Sequence, residues 1–311
     1  MGLQLPKRAP SLARRLAVGA LIGAVLLLLS ACDAVDKDQI ARLAMPEPAT
    51  EQAPATLALW RWAWLAAMIT GVIVWGLIFW AVVKYRRRSD DEIPVQTRYN
   101  LPLEIFYTIA PIMMVIVFFY WTVNVQNKVI DIDPEPDVTI EVVGQQWSWT
   151  FNHGVGEPTG EPGPDTKNGE YRYDSYVYTV GDQRHVPTLV LPVDQIIQFN
   201  LHSPDVIHNF GVDAFLMRMD VIPGRVNTFQ VNTTRIGDYS GKCYEFCGVD
   251  HSRMLFDVKV VSQADYDAYL ADLAEQGSES DAPLLGGEET RTQTGLETGL
   301  AEDDDQEGGS E

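Results

Sequence analysis

A formal charge of −20 over 311 residues speaks against binding to a nucleic-acid backbone. Cys32, Cys243 and Cys247 are the only cysteines, too few for a disulfide scaffold. The length allows one or two domains with appendages, and the acidity is uneven: residues 277–311 hold eleven acids and one arginine.

The N-terminus reads as an export signal. Lys7, Arg8, Arg14 and Arg15 form a basic start, and the apolar run from Leu16 to Leu29 is short for a membrane span. Leu29-Ser30-Ala31-Cys32 resembles a bacterial lipobox, which implies a lipoprotein signal peptide over 1–31 and acylation of Cys32. An ordinary signal peptide with an unrelated cysteine is the alternative. Residues 32–56 read as an extracytoplasmic linker.

Two apolar stretches follow, about Leu57 to Val83 and Leu101 to Val125, each long enough to cross ~30 Å of hydrocarbon. Together they predict a transmembrane helical hairpin over 57–126. Trp60, Trp62 and Trp64 at one end, with Trp80 and Tyr85 at the other, suit the membrane interfaces. Lys84, Arg86, Arg87, Arg88 and Arg98 make the intervening loop basic and therefore cytoplasmic. Everything after the second span is then outside the plasma membrane, as the export signal independently requires.

From about 127 to 275 the pattern is that of an all-β domain. Val138 to Val143, Leu189 to Leu191, Ile196 to Leu201, Thr228 to Val231 and Leu255 to Val261 read as short strands. Pro192, Pro204, Pro223-Gly224 and Gly237 read as turns, and the spacing suggests a β-sandwich. His208 is expected at a strand end. Residues 153–185 are polar and rich in Gly and Pro, a surface loop or hairpin excursion. Ser262, with Asp265 at the capping-box position, starts a short helix to about Glu275. The Gly-rich acidic stretch 276–311 has too little apolar surface to order itself and reads as a disordered tail.

The chemistry concentrates in Cys243-Tyr-Glu245-Phe-Cys247-Gly-Val-Asp-His251-Ser-Arg-Met254, with His208 upstream. Two thiols, imidazole and a thioether favour copper or zinc over hard ions, and the thioether favours copper. Two cysteines in one loop suit a pair of coppers, each with one histidine. A plain disulfide, a buried structural His208 and a packing role for Met254 are the competing readings.

Ser203-Pro-Asp205-Val-Ile-His208-Asn-Phe, Asp220-Val-Ile-Pro223-Gly224-Arg225 and the cysteine loop together resemble cytochrome c oxidase subunit II, over roughly Leu57 to Ser262. The resemblance implies a two-helix transmembrane hairpin plus an all-β cupredoxin-like sandwich. It implies a binuclear copper centre, CuA, with Cys243 and Cys247 bridging, His208 and His251 on one copper each, and Met254 and the Glu245 carbonyl as weak ligands. The Glu245 side chain would reach a magnesium ion shared with subunit I. Trp147, in Gln146-Trp147-Ser-Trp149, would be the electron-entry residue, although a core tryptophan is the alternative. Glu104 matches a proton-uptake mouth or is an interfacial carboxylate. Asp205 matches an acidic docking position or is a solvated strand-end charge.

The implied function is to accept electrons from a soluble or membrane-bound cytochrome c and pass them to haem in subunit I. Oxygen reduction and proton pumping would occur in subunit I. Implied partners are subunit I, the other oxidase subunits, cytochrome c and membrane lipid. The alternatives are a quinol oxidase subunit II, which lacks the copper ligands, and a membrane-anchored copper chaperone or redox protein, which needs neither Met254 nor two spans. One departure from the family pattern is Asp213, where proline is common.

Overall fold

The computed structural model describes residues 37–89, 92–93, 95–159, 172–182 and 185–286, with residues 19 and 23. The Cys32 lipobox, the tip of the 153–185 excursion and residues 287–311 lie outside the described residues. The chain divides at Met45 into two units. The first contains the short helix α1 (Lys37–Ala41); all that follows concerns the second.

Helices α2 (Ala53–Lys84, 32 residues) and α3 (Leu101–Val129, 29 residues) are both long and apolar enough to cross a membrane. At 1.5 Å per residue they run about 45 Å. Their Val, Ile, Phe and Trp side chains are exposed along almost the whole length, a continuous apolar surface that water would not support. Trp60 packs edge-on to Trp64, and Trp80 edge-on to Tyr85, near opposite ends of α2. Asn100 caps α3 by accepting from the Leu103 N–H, and Glu104 returns the bond by accepting from the Asn100 N–H at 2.9 Å.

The β-domain is a two-layer sandwich. Its strands are β1 (Val138–Gln145), β2 (Ser148–Thr159), β3 (Arg172–Val180), β4 (Thr188–Pro192), β5 (Ile196–His202), β6 (His208–Val212), β7 (Met217–Val221), β8 (Asn227–Asn232), β9 (Gly237–Cys243), β10 (Leu255–Val261) and β11 (Glu279–Ser280). One sheet has the order β11-β3-β2-β1-β5-β8, the other β4-β10-β9-β6-β7. Alternation along the strands sends Trp149, Phe151, Phe199, Phe210, Phe229 and Phe256 into the space between the sheets, where all are buried. Phe210 stacks on Phe256 with ring centroids 4.9 Å apart. The 153–185 excursion is a hairpin of β2 and β3, with a register irregularity between Val155 and Pro158.

Three expectations change. His208 begins strand β6 rather than ending one. The end of the expected linker is part of the domain: Ala49 and Thr50 are buried, and Thr50 bridges Thr233. Ala49 N–H donates to Ala214 O (3.0 Å), Thr234 N–H to Ala49 O (2.9 Å) and Glu51 N–H to Asn232 O (2.9 Å). These bonds satisfy an edge of the sandwich, and the small side chains let the strap lie close. The third change is at the C-terminus, where residues 277–286 fold back instead of starting a disordered tail. β11 pairs with β3, and the Asn152 side chain accepts from Leu284 N–H (2.8 Å) while donating to Leu284 O (3.1 Å). Helix α4 (Gln263–Glu275) precedes this segment, and Ser262 caps it by accepting from the Asp265 N–H at 3.2 Å, as expected.

His153 on β2 is fully buried beneath α4, with Nδ1 2.9 Å from the Tyr266 hydroxyl. Burial depresses its pKa from 6.5 to about 3. The unfolded chain therefore takes up a proton near pH 6.5 that the folded domain refuses until about pH 3. Stability is complete above pH 6.5 and falls as the pH drops towards 3, by up to about 5 kcal/mol from this group alone. Unfolding measured between pH 7 and pH 3 is expected to lose much of its pH slope in His153→Asn. An unchanged slope would assign the acid sensitivity to other groups.

Candidate metal centre

The site sits at one end of the sandwich, where strand ends deliver the donors. β6 opens with His208, and β9 closes with Cys243. Beyond Cys243 the chain turns out through Tyr244, Glu245 and Phe246 and re-enters at Cys247. Gly248 (φ +129°) then reverses it into the single helical turn His251–Arg253, which hands Met254 to the start of β10. Only glycine suits that φ, and a Cβ there would lie 2.7 Å from the Trp147 ring. Cys243 N–H donates to Met254 O at 3.0 Å, closing the base of the loop. Gly241 in β9 leaves the space that Phe256 fills; a Cβ there would lie 2.1 Å from its ring.

The donors converge. Cys243 Sγ and Cys247 Sγ are 3.8 Å apart, and both cysteines are free thiols. His208 Nδ1 is 3.9 Å from Cys243 Sγ, and His251 Nδ1 is 3.5 Å from Cys247 Sγ. Met254 Sδ is 3.7 Å from Cys247 Sγ, and the Glu245 carbonyl oxygen is 3.1 Å from Cys243 Sγ. The His208, Cys243 and Cys247 donor atoms lie within 4.8 Å of one another and belong to buried residues. Two central sulfurs, an imidazole beside each and one weak donor beside each make a soft set that fits copper better than a hard cation. The site thus holds the geometry for a metal rather than a disulfide.

Electrostatics set the two thiols apart. Burial alone would raise the Cys243 thiol, but the His208 hydrogen bond and the backbone at Asn209 and Glu245 hold it below its ordinary value. Burial and the neighbouring Cys243 charge push Cys247 up. Burial would lower His208, but Asp205 and Cys243 bring it above its ordinary value.

Asp205 is the residue whose role the sequence reading missed. Its carboxylate contacts the metal-site histidine: Oδ1 is 2.9 Å from His208 Nε2 and accepts from Val206 N–H, and Oδ2 accepts from Gln146 N–H at 2.7 Å. A carboxylate on the far nitrogen orients a ligating histidine and fixes its tautomer. The i, i+3 spacing of Asp205 and His208 was the available signal.

Trp147 is half-buried against the metal loop, and its Nε1 donates to Cys247 O at 3.1 Å. Gln146 Nε2 donates to the same oxygen at 2.6 Å. Trp149, two residues on, is the core tryptophan, and its ring packs edge-on to His208. Around the loop Phe246 (77 % exposed) and Val249 (82 % exposed) form an apolar collar. Glu104 lies on α3, away from these donors in sequence and element, where its carboxylate caps the helix.

A membrane hairpin carrying a β-sandwich with a soft-donor cluster at one end defines a membrane-anchored metal-site protein. Residues 138–261 match the family model described as cytochrome c oxidase subunit II, periplasmic domain. A probable cytochrome c oxidase subunit 2 of Streptomyces avermitilis is 45 % identical over 291 residues, covering 87 % of this chain and 90 % of that one. A cytochrome c oxidase subunit 2 of Mycobacterium tuberculosis is 35 % identical over 297 residues, covering 83 % and 81 %. Among solved structures, the periplasmic domain of subunit II (CoxB) of Bradyrhizobium japonicum is 25 % identical, with a TM-score of 0.37, covering 47 % of this chain and 99 % of that one. The chain belongs to the cytochrome c oxidase subunit II family, the electron-transfer subunit of a haem–copper oxidase. The quinol-oxidase and chaperone readings are not favoured.

Proposed function

We propose that this chain takes electrons from cytochrome c at a binuclear copper centre and passes them towards haem in subunit I, where oxygen is reduced and protons are pumped. The convergence of four further donors, His208, His251, Met254 and the Glu245 carbonyl, on two sulfurs 3.8 Å apart carries this reading. Cys243 and Cys247 would bridge the pair, His208 and His251 would each hold one copper, and Met254 and the Glu245 carbonyl would be weak ligands. Bound there, a copper pair supplies a one-electron store whose charge is shared through both thiolates. The exposed Glu245 carboxylate is free of the copper set and would face a magnesium ion shared with subunit I.

The chain's own groups prepare the site. Asp205 holds the His208 ring so that Nδ1 faces the sulfurs. Trp149, Phe210 and Phe256 form a dry wall behind it. Met254, wholly buried, closes the inner side. Trp147 joins the surface to the Cys247 backbone by one hydrogen bond, which gives a short route inward. The basic loop between α2 and α3 puts the β-domain on the extracytoplasmic side, and an acylated Cys32 would add a lipid anchor.

The test is rapid mixing of reduced cytochrome c with the copper-loaded oxidase. The near-infrared copper band should bleach before haem is reduced. Haem reduction with no change in that band would refute the reading. Met254→Leu should retain copper but shift its potential, because a thioether is a weak ligand that tunes rather than holds the metal. An unchanged spectrum and potential would reduce Met254 to packing.

A further inference from the structure

Tyr244 stands inside the ligand loop, between the Cys243 thiol and the Glu245 carbonyl, and is held from several sides. Its hydroxyl donates to the Asp213 carboxylate, and its N–H donates to Asn209 O at 3.0 Å. Asp213 opens the turn Asp213–Phe215 that follows β6. It also receives Lys242 Nζ (3.2 Å) and Ser240 Oγ (3.2 Å), both from β9. Two cations lie over the tyrosine ring: Arg218 from β7, 5.2 Å from the centroid, and Lys242, 5.0 Å. Gly211 in β6 makes the seat, since a Cβ there would come within 2.7 Å of the ring. Thus β6, β7, β9 and the Asp213 turn all converge on one side chain of the loop.

The rest of the loop's outer segment has little such support. Glu245 and Phe246, the residues after Tyr244, are exposed. The Glu245 carbonyl lies 3.1 Å from Cys243 Sγ with its own side chain in solvent. Through the backbone that carbonyl is tied to Tyr244 on one side and, through the exposed Phe246, to Cys247 on the other, whose own carbonyl is held by Gln146 and Trp147; Tyr244 is the nearer anchor.

We infer that Asp213 is a positioning residue: through the Tyr244 hydroxyl it sets the Cys243–Glu245 backbone, and with it the placement of the Glu245 carbonyl against Cys243 Sγ. Its consequence for the metal rests on the copper reading above; the brace itself does not. A hydrogen bond to an ionised carboxylate is among the stronger kinds, so one such anchor can decide the conformation of a short exposed loop.

Two measurements on the full-length protein test it. In the metal-free state, amide hydrogen exchange at Cys243 and Tyr244 should lose about ten-fold in protection in Tyr244→Phe and in Asp213→Ala, equivalent to about 1.4 kcal/mol. Asp213→Asn keeps an acceptor for the hydroxyl and should restore most of that protection. Amides of β5 such as Phe199 should be unaffected in all three. In the copper-loaded state, Tyr244→Phe and Asp213→Ala should shift the near-infrared band and raise the reduction potential, as a carbonyl donor moves away. Unchanged exchange in Tyr244→Phe, or equal loss across both sheets, would overturn the brace. So would Asp213→Asn behaving no better than Asp213→Ala. Loss of protection with an unaltered copper band and potential would overturn the positioning role. A wild-type chain that takes up no copper would instead refute the copper reading, and the exchange data would still decide the brace.

Discussion

Cys243→Ser is expected to leave the chain folded and without copper, and Cys247→Ser likewise. Each sulfur has an imidazole of its own and faces the other sulfur across 3.8 Å, so each thiolate would serve both metals. A serine hydroxyl has the connectivity of a thiol but is smaller and harder, and so does not replace it. The rival is a mononuclear site, and Cys243→Ser separates the two. Cys247, His251 and Met254 remain together in that variant, with Cys247 Sγ 3.5 Å from the imidazole and 3.7 Å from the thioether. A one-copper site of Cys, His and Met would therefore survive it. Metal analysis showing one tightly held copper in Cys243→Ser would contradict the bridging arrangement.

Trp147→Gln is expected to slow electron delivery from cytochrome c sharply, because it removes the aromatic ring that shortens the tunnelling gap at the contact point. Copper content and spectrum should be unchanged, because the indole meets the metal loop at the backbone of Cys247 and Gly248 rather than at a donor atom. A glutamine amide can still donate there, so the substitution removes the aromatic path with little disturbance of the loop. Stopped-flow traces decide it. Loss of copper or failure to fold would make Trp147 a core residue. The buried position of Trp149 and the half-buried position of Trp147 are why the first is expected to be structural and the second functional.

The metal loop was legible in the sequence because its donors fall within a dozen residues and their chemistry is unusual as a set. The two helices were legible from apolar length alone, although α2 starts four residues before the expected span: Ala53 and Leu57 are buried and tie its first turn to the folded domain. Strands β1, β5, β8 and β10 carry β-branched or aromatic alternation that points to one face. β9 does not: Gly237-Asp-Tyr-Ser-Gly-Lys-Cys243 is polar and glycine-rich, and it is a strand because β6 and β10 pair with it on both sides. The strap around Ala49 and the return of residues 277–286 were invisible for a related reason. Both are held through hydrogen bonds to their own backbone, which leave no pattern in their own side chains. The contacts of Asp205 and Asp213 were not legible because a sequence shows that a carboxylate exists, not what it faces.

The central claim is that one chain holds two coppers in one electronic unit. Copper is to be counted in the purified full-length protein, with its electron paramagnetic resonance spectrum recorded on the same sample. Two coppers per chain sharing one unpaired electron in a mixed-valence signal is the predicted result. A single copper with an ordinary mononuclear signal, or zinc retained after copper reconstitution, would contradict it.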